Sequence, residues 1–187
     1  MTDRVVTSTM GFSKSKWYCE VKITTQGGRN VIGISNGIGA GVDLDDGDKD
    51  GTNIRIAPAV WAGYKGHDGT MTTSGTDNGD LGSGASDDDI LCMAMDMDNG
   101  QVHYNINADV DTAGTAQCTG LTTTTGEFFH VYYNETSATE SVNVFNFGNP
   151  PFAISSGNAD ANGYGNFEFA VPSGYFALCT KNLATYG

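Results

Sequence analysis

Apolar residues in this chain recur at every second position, and nowhere keep helical spacing for longer than two turns. In the stretch 16–24, Trp17, Cys19, Val21 and Ile23 fall on one side and Tyr18, Glu20, Lys22 and Thr24 on the other. That period of two is the pattern of a half-buried strand. "TQGGRN" reads as the turn that follows and "VIGIS" as the next strand. "IAPAVWAGY" reads as a strand that Pro58 starts at an edge or bulge. "ILCMAMD", "QVHYNI", "EFFHVYYN", "SVNVFNF", "GNFEF" and "YFALC" are further strand-like runs with turn residues between them. The 26 glycines among 187 residues supply the backbone freedom that many tight turns need. The expected fold is therefore all-β, a sandwich or barrel of short strands, in a single domain over residues 1–187. Trp17, Val21, Ile23, Cys92, Phe145 and Phe147 are expected between two sheets.

Lys and Arg total 9 against 22 Asp and Glu, a net charge of −13. Such a surface repels nucleic acid and anionic membranes, so neither is an expected partner. No run of apolar residues is long enough for a membrane-spanning helix. The N-terminal stretch has no apolar core of a signal peptide. Cys19, Cys92, Cys118 and Cys179 form no CxxC pair and match no zinc spacing. Free, buried thiols are expected, with no disulfide, which fits folding in a reducing cytoplasm.

Two stretches are longer than strand connection requires: 36–53 and 65–89. Both are rich in Gly and Asp, and loops of this length in a compact domain usually carry function. They are expected to lie near each other and form a partner-contacting face with Asp43, Asp45, Trp61, Tyr64, His67 and Asp68. Core packing is the other reading for Trp61, whereas the Gly-rich surroundings of Tyr64 and Tyr164 favour exposure, and Tyr186 is a further loop aromatic.

The spacing Asp46-x-Asp48-x-Asp50-Gly51 copies the first half of a calcium loop. Its twelfth position is Ala57 where an EF-hand needs Glu, so an EF-hand is excluded. A looser Ca²⁺ site on Asp46, Asp48 and Asp50 stands against a solvated acidic loop, and no other cofactor is expected. A second acidic turn, Asp96-Met97-Asp98-Asn99-Gly100, reads as a metal-free hairpin. There Asp98 and Asn99 should bond nearby amides, and Gly100 should take positive φ. His67, His103 and His130 form no metal or triad motif. Glu20, Glu127 and Glu168 are the acids to check for glycoside hydrolysis. No catalytic residue is assigned.

Four pieces in order resemble the SPRY domain family. They are "KWYCEV" with Trp17, Tyr18, Glu20 and Val21; "DDDILCMAMDMDNGQVHYNIN" with Asp88 or Asp89, Ile90, Asp96, Asp98, Gly100, Val102, Tyr104 and Asn107; "FNFGNPPF" with Asn146, Phe147, Gly148, Pro151 and Phe152; and "GYFAL" with Gly174, Tyr175, Phe176 and Leu178. The resemblance covers residues 11–183. It implies a bent antiparallel β-sandwich of the concanavalin-like, SPRY jelly-roll kind. It also implies a non-catalytic binding module whose partner surface is built by loops. "ALCTKNL" resembles the SPRY modules of bacteriophage and marine environmental proteins. This implies a structural or recognition role in a virion or tail, oligomeric within the assembly, with protein or glycan as partner. The chain departs from the family in its acidic 43–51 loop and in the few residues ahead of Trp17. It reads either as a small complete protein or as one piece of a longer one. A Ca²⁺-assisted carbohydrate-binding module is the second reading, and a glycoside hydrolase the third.

Overall fold

The computed structural model describes residues 4–37, 60–123, 127–135 and 139–187. Among these, eleven strands and one helix follow in order: β1 (Arg4–Phe12), β2 (Lys16–Thr25), β3 (Asn30–Ser35), β4 (Trp61–Lys65), β5 (Thr70–Thr73), β6 (Thr76–Asp80), β7 (Ile90–Asp96), β8 (Gln101–Ile106), β9 (Phe129–Glu135), β10 (Val142–Asn146), β11 (Phe176–Ala177) and α1 (Thr180–Tyr186). Two antiparallel sheets form a sandwich. One has the order β1-β9-β3-β4-β5-β6, and the other β10-β2-β7-β8, with β11 parallel to β2.

The alternation along β2 decides how the sandwich is layered. Trp17, Cys19, Val21 and Ile23 enter the core between the sheets, where they join Ile32, Ile34, Tyr64, Met71, Phe129 and Val131. The opposite face of β2 is covered as well. Tyr18 packs with Cys92, Ala94, Phe167, Tyr175 and Ala177 in a second apolar layer. Tyr18 and Phe167 meet edge to face at 5.0 Å, a favoured aromatic geometry. β7 reads as a continuous apolar run because it is buried on both sides.

This second layer corrects part of the expected core. Trp17, Val21 and Ile23 are fully buried between the sheets, but Cys92 points to the outer layer. Phe145 and Phe147 are only partly buried against the main core, because β10 is an edge strand.

Other elements also differ from expectation. β1 precedes β2 although its sequence, RVVTSTMGF, alternates weakly; pairing with β9 from Arg4↔Glu135 to Phe12↔Phe129 forms it. Part of the predicted 65–89 excursion is strand: Lys65 ends β4, and β5 and β6 form a hairpin closed by Ser74 and Gly75 at positive φ. "GNFEF" contributes a single bridge, Asn158↔Phe167. "YFALC" shortens to β11 and leads into α1, the helix that sequence periodicity did not indicate. At seven residues α1 is too short to show that periodicity. It docks through Asn182, which donates to the Asp160 carboxylate at 2.7 Å and to the Ala177 carbonyl at 2.9 Å.

Candidate functional site

The strand directions bring several connections to one end of the sandwich. Ser35, the last residue of β3, lies opposite Trp61 and His130, and Phe12 lies opposite Phe129. The residues flanking 38–59 are tied together there. The Asn36 amide donates to the Val60 carbonyl at 3.2 Å, and the Val60 amide donates to Asn36 Oδ1 at 2.7 Å. Asn36 Nδ2 also donates to Glu127 at 3.2 Å. The β5–β6 turn joins the same end, the Ser74 amide donating to the Trp61 carbonyl at 2.9 Å.

Phe128 stands beside this stem with half of its surface exposed, 50%. It is the exposed aromatic that the sequence reading missed, because it sits within the apolar run "EFFHVYY". Its parity was the available signal. Phe129 and Val131 of β9 enter the core, so Phe128, one residue before the strand, falls on the alternate side.

Among the described residues, the expected contacts Trp61, Tyr64, His67 and Asp68 do not form one face. Trp61 and Tyr64 are buried, at 4% and 0% exposure, which corrects the expectation that Tyr64 is exposed. Tyr64 follows the small residues Ala62 and Gly63 in β4, shares the core face with Ala62, and meets Tyr104 across the core at a ring separation of 6.4 Å. Gly63 is tightly packed: a Cβ there would lie 2.6 Å from the Tyr132 hydroxyl. His67 and Asp68 pair at 3.0 Å in the turn after β4, at the opposite end of that strand from the Asn36–Val60 stem. A strand's length keeps its two ends apart. Asp43, Asp45, Asp46, Asp48 and Asp50 lie outside the described residues. Among those described, no group of three or more His, Cys, Asp and Glu is placed to hold a metal ion. Tyr164 and Tyr186 are half-covered, Tyr164 under the Lys181 ammonium at 4.8 Å and Tyr186 stacked on Phe176 at 4.0 Å.

The acidic hairpin forms between β7 and β8, with Gly100 at φ +61°. Its bonds are distributed differently from expectation. Asp96, not Asp98, is the local acceptor, receiving the Asn99 amide at 3.1 Å and Asn99 Nδ2 at 2.8 Å. Asp98 instead receives the Ser15 amide at 2.7 Å, joining the hairpin to the β1–β2 turn. Lys16 pairs with Asp96 at 2.8 Å. Burial would raise the Asp96 carboxyl, but Lys16 and Asn99 outweigh it and hold the group below its usual range.

The three candidate hydrolytic acids do separate jobs. Glu20 is fully buried and accepts from the amides of Phe169 at 2.8 Å and Glu168 at 3.1 Å, from Tyr18 at 3.1 Å and from Asn146 at 3.2 Å. The Glu168 carboxylate holds Ser155 and Ser156 at the surface. Glu127 braces the Asn36 stem. His103 is buried, and burial lowers its pKa. His130 contacts the Ser8 carbonyl at 3.0 Å. Glu20, Glu127 and Glu168 thus each bond to their own neighbours at separate places in the fold.

No family model matches the chain, and no curated protein matches it. Among solved structures, the crystal structure of the SPRY domain of human HERC1 is similar, with a TM-score of 0.53 at 9% identity over 76% of this chain and 80% of that one. At this identity the likeness is one of architecture: the chain folds as a SPRY-like antiparallel β-sandwich.

Proposed function

We propose that the protein is a non-catalytic recognition module that binds a partner protein through the end of the sandwich carrying the Asn36–Val60 stem. The observation that carries this reading is Phe128, half exposed beside a braced stem on a SPRY-like frame. Large aromatics left at the surface on rigid supports give contact area at low entropic cost, and loops held by a sandwich can vary without disturbing its core. The resemblance of "ALCTKNL" to SPRY modules of bacteriophage chains supports a place in a virion or tail assembly.

The test installs a photo-crosslinking amino acid at position 128 and irradiates the protein in its native assembly. Covalent adducts to a second protein are expected, and Phe128→Ala should weaken that association while the melting temperature stays unchanged. Recovery of glycan adducts alone, or adduct formation only at positions away from this end, overturns the reading.

A further inference from the structure

Between β8 and the Val102↔Cys118 bridge the chain forms neither helix nor strand. Of residues 107–115 only Val110 is buried. It packs into the second apolar layer, with Tyr18, Ala94, Phe167 and Tyr175, on the outer face of the small sheet. Polar ties hold this strap on either side of Val110. Before it, Asn105 Nδ2 donates to the Asp109 carbonyl at 2.8 Å, and the Ala170 amide donates to the Asp109 carboxylate at 2.9 Å. After it, the tie is His103, whose ring bonds to the Asp111 backbone. A segment with one buried apolar side chain and few bonds opens locally at low cost.

His103 lies opposite Ala94, which itself pairs with Tyr18, so the ring stands in the same row beneath the strap. It is 2% exposed. Its Nδ1 is buried and has no hydrogen-bond partner among the described residues. The ring is thus built in as a neutral imidazole, one nitrogen bonded to the strap and the other withdrawn from water. Protonation puts a charge and a proton on Nδ1, with no acceptor among the described residues.

The charged groups facing the ring are Asp96 of β7, Lys16 of β2 and Asp111 of the strap. Lys16 and Asp96 pair at 2.8 Å, so their fields at the ring oppose each other. Asp111 is engaged by the Ala113 amide at 2.9 Å. Tyr175, just before β11, lies under Lys16 at 5.6 Å and stays neutral, its hydroxyl pushed up to about 12 by burial. Burial outweighs the two acids and lowers the His103 pKa.

We propose that His103 is an acid-sensitive latch: neutral, it holds residues 109–112 against the small sheet, and protonated, it lets that strap lift from the apolar layer beneath Val110. In the open state the ring regains water and the ordinary histidine affinity for a proton. The open state therefore takes up a proton that the closed state resists. The strap stays shut above the ordinary histidine pKa, and its opening grows as pH falls below that value, by up to about tenfold per pH unit. The latch sits on the small sheet, whereas Phe128 leads into β9 of the large one, so either reading can fail without the other.

The experiment is NMR on the whole chain from about pH 7.5 to about pH 5.5, a range that contains the ordinary histidine value and lies above the carboxylate values. It follows the His103 ring, the Val110 methyl groups and exchange of the Tyr104 amide, which is bonded to Gln117 at 3.0 Å where the strap rejoins β8. The Val110 signals should move together with the His103 ring. Tyr104 exchange, corrected for its intrinsic rate, should speed up as pH falls. His103→Gln, which cannot take up the proton, should leave both flat. Val110→Ala keeps the histidine and loosens the anchor, so it should speed exchange at every pH and keep the slope. Glu20 acts on the whole fold with the opposite sign, so only these local signals are compared. Three results overturn the proposal: Val110 and Tyr104 signals that ignore pH in the wild type, the same pH dependence in His103→Gln, or a His103 ring that titrates while the strap stays shut.

Discussion

The Glu20 carboxylate accepts the backbone amide of Phe169 at 2.8 Å, although 149 positions separate them in sequence. The bond pins the C-terminal segment across the outer face of β2, and Asn146 brings β10 to the same carboxylate. Tyr18 and Phe167 pack beside it. One buried acid therefore fastens the second apolar layer to the sheet.

Glu20 should impose a measurable pH dependence on stability. Burial raises its carboxyl above the ordinary range, and the bonds from Phe169, Glu168, Tyr18 and Asn146 offset only part of that rise. A carboxyl with a higher pKa folded than unfolded contributes fully below the unfolded value. That contribution is lost as pH rises through the folded value. Urea midpoints of the wild type and Glu20→Gln, taken from about pH 4 to about pH 7, should diverge, the wild type losing stability relative to the variant. Parallel curves would refute the assignment. Glu20→Gln should also cost roughly 1–3 kcal/mol near neutrality, because its amide end meets amide donors.

Trp17 is fully buried at the centre of the inter-sheet core, with tilted ring contacts to Phe12 and Phe176 at 6.3 Å each. Trp17→Ala should lower unfolding free energy by roughly 3–5 kcal/mol, read by denaturant titration. A loss below about 1 kcal/mol would show that the site collapses around the smaller side chain.

The hairpin between β7 and β8 depends on Gly100. Its φ is +61°, and a Cβ there would sit 2.7 Å from the Leu121 carbonyl oxygen. Gly100→Ala combines backbone strain with that clash and should destabilise by roughly 1–3 kcal/mol. Calorimetry on this variant and on Gly120→Ala separates the two effects, since Gly120 has positive φ with nothing near its Cβ position. Gly100→Ala should melt lower; equal melting temperatures would remove the clash from the account.

All four cysteines are free, and Cys179 alone is partly exposed. Burial raises the thiol pKa of Cys19, Cys92 and Cys118, which disfavours the reactive thiolate. Brief treatment of the native protein with iodoacetamide, followed by peptide mass mapping, should label Cys179 first. Labelling of Cys19, Cys92 and Cys118 should require denaturant. Rapid native labelling of Cys19 would mean that the core opens locally.

The all-β class was readable from the chain itself. Period-two alternation in β2 assigned Trp17, Cys19, Val21 and Ile23 to one face, and Asp-Asn-Gly marked the hairpin before Gln101. Both signals depend only on the geometry of neighbouring residues. Long-range packing decided the rest. A second layer over β2 and β7 turned Cys92 away from the inter-sheet core and buried Glu20. Pairing with β4 made strands of a stretch whose polar composition reads as loop. Small neighbours in β4 let Tyr64 enter the core, while the start of β9 left Phe128 outside. Side-chain parity is a local property of the strand, but whether a face or an edge meets protein or solvent depends on segments distant in sequence.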